Sequence, residues 1–201
     1  DIVASLYQRN NLTDIVKRAA DQIYIPITVG GGIRSIDNVR TLLHSGADKV
    51  AINTAAIARP ELITEVSQRF GAQCMVLSVE AKRKPGGGWE AFTDNGREHT
   101  GLDVVQWVKR AVALGAGEIM LTSVDQEGTR KGFDVPLIEA VAASVQVPII
   151  ASGGYGQPDD LQRAAAAGAS GLAVADALHW QRTTVPELKA QARAAGLEVR
   201  L

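Results

Sequence analysis

Two glycine-rich turns are the residues of this sequence best suited to chemistry. Gly30-Gly31-Gly32 and Ser152-Gly153-Gly154 each follow a short apolar run and precede an amphipathic stretch. Between a buried strand and a helix, glycines let backbone N–H groups approach an anion with no Cβ in the way. The helix terminus adds favourable partial charge. The next apolar run in each region ends in Asn53-Thr54 and in Ala175-Asp176. Phosphate sites in parallel barrels combine neighbouring turns of this kind. Gly31, Gly32, Asn53 and Thr54 are therefore expected to hold one phosphate, and Ser152, Gly153, Gly154, Ala175 and Asp176 a second. Such a pair suits an elongated small-molecule bisphosphate.

Carboxylates lie between the two turns in the chain. Glu80 closes the apolar run 75–79 and is followed by Lys82-Arg83, while Asp125 and Glu127 come after Leu121-Thr122-Ser123-Val124. A carboxylate at the C-terminal end of a barrel strand is a general acid/base candidate, because a low-dielectric mouth raises its pKa toward neutrality. The same residues could instead bridge a neighbouring cation or cap a helix, and position alone leaves both readings open. Lys49 and Glu118 stand at strand starts, on the opposite face, where a buried charge pair is the plain reading. His44, His99 and His179 lack metal-ligand spacing, and no nucleophile elbow or Ser-His-Asp order occurs. No metal and no cofactor is expected. Cys74, the only cysteine, sits in the strand-like run Cys74-Met75-Val76-Leu77 and reads as core.

Short β-branched runs alternate with amphipathic stretches, the pattern of βα units around a parallel sheet. Strands are expected at 1–4, 24–29, 49–53, 74–80, 118–124, 147–151 and 171–175. Helices are expected at 12–22, 36–44, 60–70, 103–114, 136–144, 158–167 and 185–194. Lys84-Pro85-Gly86-Gly87-Gly88 leads into a hairpin signal at Asp94-Asn95-Gly96. The organising feature is an internal repeat. Ile25-Pro26-Ile27 through Gly32 resembles Val147-Pro148-Ile149 through Gly154, and Gly46-Ala47-Asp48 resembles Gly168-Ala169-Ser170; 148 less 26 and 168 less 46 both give 122. The chain is expected to be one (β/α)8 TIM-barrel domain over 1–201, with half-barrel repeats at roughly 1–80 and 81–201. Because Asp1-Ile2-Val3-Ala4 already reads as the end of a buried strand, the barrel's first strand and helix are expected upstream of it. An open doubly wound sheet would carry one strong nucleotide loop, not two matched turns.

Composition narrows the partners. Apolar residues are 46% of the chain and charged residues 21%, with a net charge of −1. Nothing in that balance favours nucleic acid or an anionic membrane, and no apolar run is long enough to span a bilayer. A single cysteine fits a reducing, cytoplasmic setting.

Several runs carry a family resemblance. Thr28-Val29-Gly30-Gly31-Gly32-Ile33-Arg34, Gly46-Ala47-Asp48-Lys49-Val50, Ile52-Asn53-Thr54-Ala55-Ala56, Ala81-Lys82-Arg83, Gly115-Ala116-Gly117-Glu118, Leu121-Thr122-Ser123 and Ala151-Ser152-Gly153-Gly154 strongly resemble the cyclase subunit of imidazole glycerol phosphate synthase. A sister isomerase of histidine synthesis shares the repeat but fits Asn53-Thr54 and Gly117-Glu118 less well. The resemblance implies a lyase-type cyclase that takes ammonia from a glutaminase subunit. Its bisphosphate substrate, an open-chain phosphoribulosyl-formimino aminoimidazole, becomes imidazole glycerol phosphate and an aminoimidazole carboxamide ribotide. It implies an acid/base carboxylate pair at the ends of the first and fifth strands. It also makes Lys49 and Glu118 an ammonia gate, and Asp48 and Gln73 part of the glutaminase-docking face.

Three departures accompany the resemblance. The first strand and its aspartate fall outside the chain, which alone is expected not to cyclise. Glu80 stands where the family carries aspartate, and one extra methylene moves the carboxylate ~1.5 Å, a misplacement that can cost ~100-fold in rate. Asp176 stands where a serine helps hold a phosphate, and would repel it unless turned away. The last two also suit a cyclase-like, ammonia-dependent subunit of surface-sugar amidation. A truncated barrel that binds bisphosphates without catalysis is the third reading.

Overall fold

The computed structural model describes residues 13–200, so the expected strand at 1–4 lies outside the described residues. Eight strands and nine α-helices follow in chain order among those described. They are α1 (Thr13–Ala20), β1 (Thr28–Gly30), α2 (Ile36–His44), β2 (Lys49–Ile52), α3 (Thr54–Ala58), α4 (Glu61–Phe70), β3 (Met75–Arg83), β4 (Trp89–Thr93), β5 (Glu98–Asp103), α5 (Val104–Ala113), β6 (Glu118–Ser123), α6 (Val135–Ala142), β7 (Ile149–Ser152), α7 (Pro158–Ala166), β8 (Gly171–Ala173), α8 (Asp176–His179) and α9 (Val185–Ala194). The strands β1-β2-β3-β6-β7-β8 pair in that order and all in parallel. With helices between successive strands, this is an α/β TIM-barrel fold.

The repeat is visible element by element. α2 and α7 begin at 36 and 158, β2 and β8 at 49 and 171, and α3 and α8 at 54 and 176, a displacement of 122 each time. Local signals set these bounds. Ser35, Asp103 and Asp134 accept hydrogen bonds from the first turns of α2, α5 and α6, satisfying donors that have no partner within the helix. Gly46, Gly115 and Gly168 follow their helices at φ of +106°, +113° and +105°, the left-handed stop expected at those positions. Each helix lays one face on the sheet. In α5, Val104, Trp107, Val108 and Ala111 are buried, at the spacing of a single helical stripe. They join Leu62, Ile63 and Val66 of α4 and Met75, Leu77 and Val79 of β3 in one core cluster.

Several expected boundaries shift, two of them at strand ends beside the glycine turns. The strand expected from residue 24 begins at Thr28, because Pro26 has no N–H and Ile27 spends its backbone groups on Asp48. The Ile27 N–H donates to Asp48 Oδ2 at 2.7 Å, and its carbonyl accepts from Asp48 N at 2.9 Å and Lys49 N at 3.2 Å. The strand expected to 175 ends at Ala173.

The hairpin signal becomes β4 and β5, an antiparallel pair added to the far half of β3, with Glu80 opposite Phe92 and Arg83 opposite Trp89. That extra partner explains why β3 runs nine residues while its parallel neighbours run three to six. Asp94, Asn95 and Gly96 at the tip have φ of +50°, +61° and +71°, the left-handed turn for which Asn-Gly is suited.

Candidate functional site

Strand alternation decides which residues face the barrel interior. Thr28 and Gly30 of β1, Ala51 of β2, Ser78 and Glu80 of β3 and Met120 of β6 line one cavity of about 690 Å³. The same cavity is lined by Gly31, Gly32, Asn53, Thr54, Asp94 and Asn95. The structure thus brings the first expected phosphate cradle and the carboxylate Glu80 into one space, with the hairpin tip as part of its wall.

Glu80 is the perturbed acid of this cavity. Burial pushes its pKa up and the nearby Asp94 carboxylate adds to the rise, opposed by hydrogen bonding from the Gly96 backbone and the Asn53 side chain. Gly96 N donates to Glu80 Oε2 at 2.9 Å. Asn53 donates from Nδ2 to the Phe92 carbonyl at 3.0 Å, tying the end of β2 to the hairpin. Its Oδ1 is buried without a partner, an acceptor that a ligand N–H or O–H would satisfy.

The other two carboxylates are placed differently. Asp125 Oδ2 accepts from Arg83 N at 2.8 Å, which braces the loop after β6 against the end of β3. Glu127 lines a second cavity, of about 20 Å³, with Ser152, Gly153, Gly154, Ala175 and Asp176. Both cradle regions therefore border cavities, but unequal ones. The second is built by close backbone approach: a Cβ on Gly153 would stand 2.7 Å from the Ser123 carbonyl oxygen, and one on Gly154 2.1 Å from that of Gly132. Asp176 has not been left to face the cradle alone. Its Oδ2 accepts from Arg182 Nη1 at 2.6 Å, so its charge is paired.

On the opposite edge, Lys49 and Glu118 form an ion pair across the start of β3. Alternation puts Lys49 on the same face of β2 as Ala51, and Glu118 on the same face of β6 as Met120, so the pair sits beneath the cavity. Asp48 and Gln73 are exposed on that edge. Gly117 keeps it compact, since a Cβ there would stand 2.2 Å from the Ala72 carbonyl oxygen.

A family described as histidine biosynthesis protein matches residues 1–184. The chain belongs to that family. It is 61% identical over 160 residues, 80% of this chain and 76% of the relative, to imidazole glycerol phosphate synthase subunit HisF of Legionella pneumophila. To the subunit of the same name from Corynebacterium diphtheriae it is 50% identical over 206 residues, covering all of this chain and 80% of the relative. The Streptomyces avermitilis subunit of that name is 52% identical over 200 residues, with the same coverage.

Three residues around the site were not singled out by sequence reasoning. Asp134, 5% exposed, accepts from Arg83 Nη2 at 2.8 Å, Trp89 Nε1 at 3.1 Å and Ser123 Oγ at 3.5 Å while capping α6. Its one local signal is an Asp two residues ahead of Pro136, the spacing of a helix start. Arg182 had no signal, because its partner lies six residues back across a short helix. Lys82 was noted only as a neighbour of Glu80; its Nζ donates to the Gly96 carbonyl at 2.7 Å and lies 4.8 Å from the centre of the Phe92 ring. No helix among the described residues is long and apolar enough to cross a membrane.

Proposed function

We propose that this chain is the cyclase part of imidazole glycerol phosphate synthase, a cytoplasmic lyase subunit of histidine biosynthesis. The observation that carries the reading is one interior cavity that joins a phosphate cradle, Gly31-Gly32 with Asn53-Thr54, to an acid/base carboxylate whose pKa burial raises. A glutaminase subunit would dock on the edge carrying Asp48 and Gln73, and ammonia would enter past the Lys49–Glu118 pair into the space beneath Glu80.

Across the two cavities the chain's own groups have distinct tasks. Backbone N–H groups of the first cradle and the start of α3 hold one phosphate of the phosphoribulosyl-formimino substrate. The Ser152–Gly154 turn with Ala175 and Asp176 holds the other. Fixing both ends sets the open chain across the barrel mouth, which turns ammonia addition and ring closure into a positioned, effectively unimolecular event. Glu80, poised by burial, exchanges protons with the closing ring; Asp125 orders the adjacent strand end through Arg83 N. Glu127 lines the second cradle.

The test is turnover by the full-length protein with ammonium salt and the formimino substrate, followed by loss of substrate absorbance. Turnover supports the reading. Its absence, with turnover of an activated surface sugar instead, would replace it by the sugar-amidating alternative, which the Glu80 and Asp176 departures favour.

The Asp176–Arg182 pair makes a separate expectation. Arg182→Ala leaves an unpaired carboxylate beside the second phosphate. Repulsion between that carboxylate and the phosphate, about 1–4 kcal/mol at close range, corresponds to a rise in substrate KM of roughly fivefold or more, with kcat little changed. Asp176→Ser in the same background should restore KM. Steady-state kinetics with ammonia measures both, and an unaltered KM in Arg182→Ala would show that the pairing is irrelevant to the cradle.

A further inference from the structure

The hairpin tip and Glu80 form a chain of contacts that the proposed reaction does not by itself explain. Lys82 stands two residues beyond Glu80 on β3 and so projects from the same side of the strand. Its ammonium donates to the Gly96 carbonyl at 2.7 Å and sits over the Phe92 ring at 4.8 Å. The N–H of that same glycine donates to Glu80 Oε2 at 2.9 Å. Gly96 serves from both sides in a left-handed conformation, φ +71°, and a Cβ on it would stand 2.7 Å from Val124 Cγ1. The tip is therefore clamped between Lys82, Glu80 and Val124.

We propose that Lys82 is a positioning residue for Glu80, holding the Asp94–Gly96 turn against the strand end so that the turn fixes the carboxylate in the cavity. A glutamate has one more rotatable bond than an aspartate, and the freedom of that bond must be removed for the carboxylate to act from a defined place. The clamp removes it. The inference rests on the reading of Glu80 as the acid/base group, but the positioning itself can be measured without any substrate.

The groups that bear on the charge of Glu80 are few. Beyond burial, which raises its pKa most, Gly96, Asn53 and Asn95 lower it by hydrogen bonding and Asp94 on the turn raises it. Lys82 and Arg83 are the cations on its own strand, Arg83 being paired with Asp134, and Thr122 is its uncharged partner position on β6. Arg34 and Arg59 line the same cavity. Loosening the turn weakens the Gly96 bond to the carboxylate, which lowers the pKa by more than Asp94 raises it, so the net effect pushes the Glu80 pKa further up.

The experiment compares the full-length protein with Lys82→Met and Lys82→Arg. Lys82→Met should lower kcat by roughly 10- to 100-fold with KM within about twofold. The acidic limb of its pH–rate profile should move upward, and Lys82→Arg should recover most of the rate. Carbon NMR of the Glu80 side-chain carboxyl should show the same upward movement of its titration with no substrate present. Lys82→Gln, which keeps a donor but no charge, gives the same direction in smaller measure if Lys82→Met does not fold. An unmoved Glu80 titration in a folded variant would overturn the positioning role, even if the variant were less stable. A moved titration in a protein that turns over no formimino substrate would support the positioning and overturn the cyclase reading.

Discussion

Replacing Glu80 by glutamine lowers ammonia-dependent turnover by about 10²- to 10⁴-fold, the range for loss of a general acid/base group, while making the protein more stable at neutral pH. The two effects share a cause. In the fold the Glu80 carboxyl holds its proton to higher pH than the ordinary glutamate value of 4.5, chiefly because burial disfavours the charge. Between the unfolded and folded values the native state binds more protons, so stability falls as pH rises through that window. The penalty is complete above the folded value. Glutamine keeps an acceptor for Gly96 N and carries no charge, so the penalty disappears. Melting temperatures of both proteins should coincide near pH 4 and separate, with the variant higher, from about pH 5 upward. Equal melting curves at pH 8 would mean that burial does not strain this carboxylate. Retained turnover would remove it from the chemistry. Stability surrendered at a working group is a common pattern in enzymes.

Asp134→Ala is expected to cost about 3 kcal/mol of folding stability, the lower part of the range for breaking a buried ion pair. The lower part applies because the Arg83 side chain is 54% exposed and can turn its guanidinium to water. The neutral donors, half-buried Trp89 and buried Ser123, have less freedom to do so. Trp89 Nε1 loses its acceptor, Ser123 Oγ loses a weaker one, and α6 loses the cap provided at Leu137 N. An unmet buried donor costs about 1–3 kcal/mol and a lost cap about 0.5–2, and the two do not add simply because they share one carboxylate. Urea unfolding should show the midpoint falling with the slope unchanged. Asp134→Asn, which keeps one acceptor oxygen, should fall between. A midpoint unaltered by Asp134→Ala would show that the hairpin base is held by packing alone. A loss of this size is a large share of the roughly 5–15 kcal/mol that holds a typical domain.

How far these features could be read in advance depended on the distance over which each is determined. The repeat was legible because strand, turn, glycine stop and next strand recur at one displacement, and each is a local signal. The hairpin was legible from Asp94-Asn95-Gly96. The length of β3 was not, since its second half is a strand by virtue of β4 alongside it. Tyr24 reads as strand by composition yet lies before the start of β1 and is almost fully exposed. The short helices α3 and α8 were hidden behind Asn53 and Asp176, which read as strand ends and in fact stand at helix starts. At the site, the two glycine turns and the strand-end position of Glu80 were legible from type and position, and the first turn and Glu80 line one cavity. The roles of Asp134, Lys82 and Arg182 were not, because each depends on a partner brought in by tertiary folding or by the turn of a short helix.

The hairpin has one more consequence, for direction. Two cradles related by a 122-residue repeat would, if nothing else differed, accept a molecule with a phosphate at each end in either sense. Half of all encounters would then be unproductive. The tip of the β4–β5 hairpin borders the cavity that holds the first cradle region and not the second. A ligand entering the wrong way round would meet the wrong wall and present its reactive carbons away from Glu80. The inserted strands thus give a nearly two-fold vessel a head and a tail.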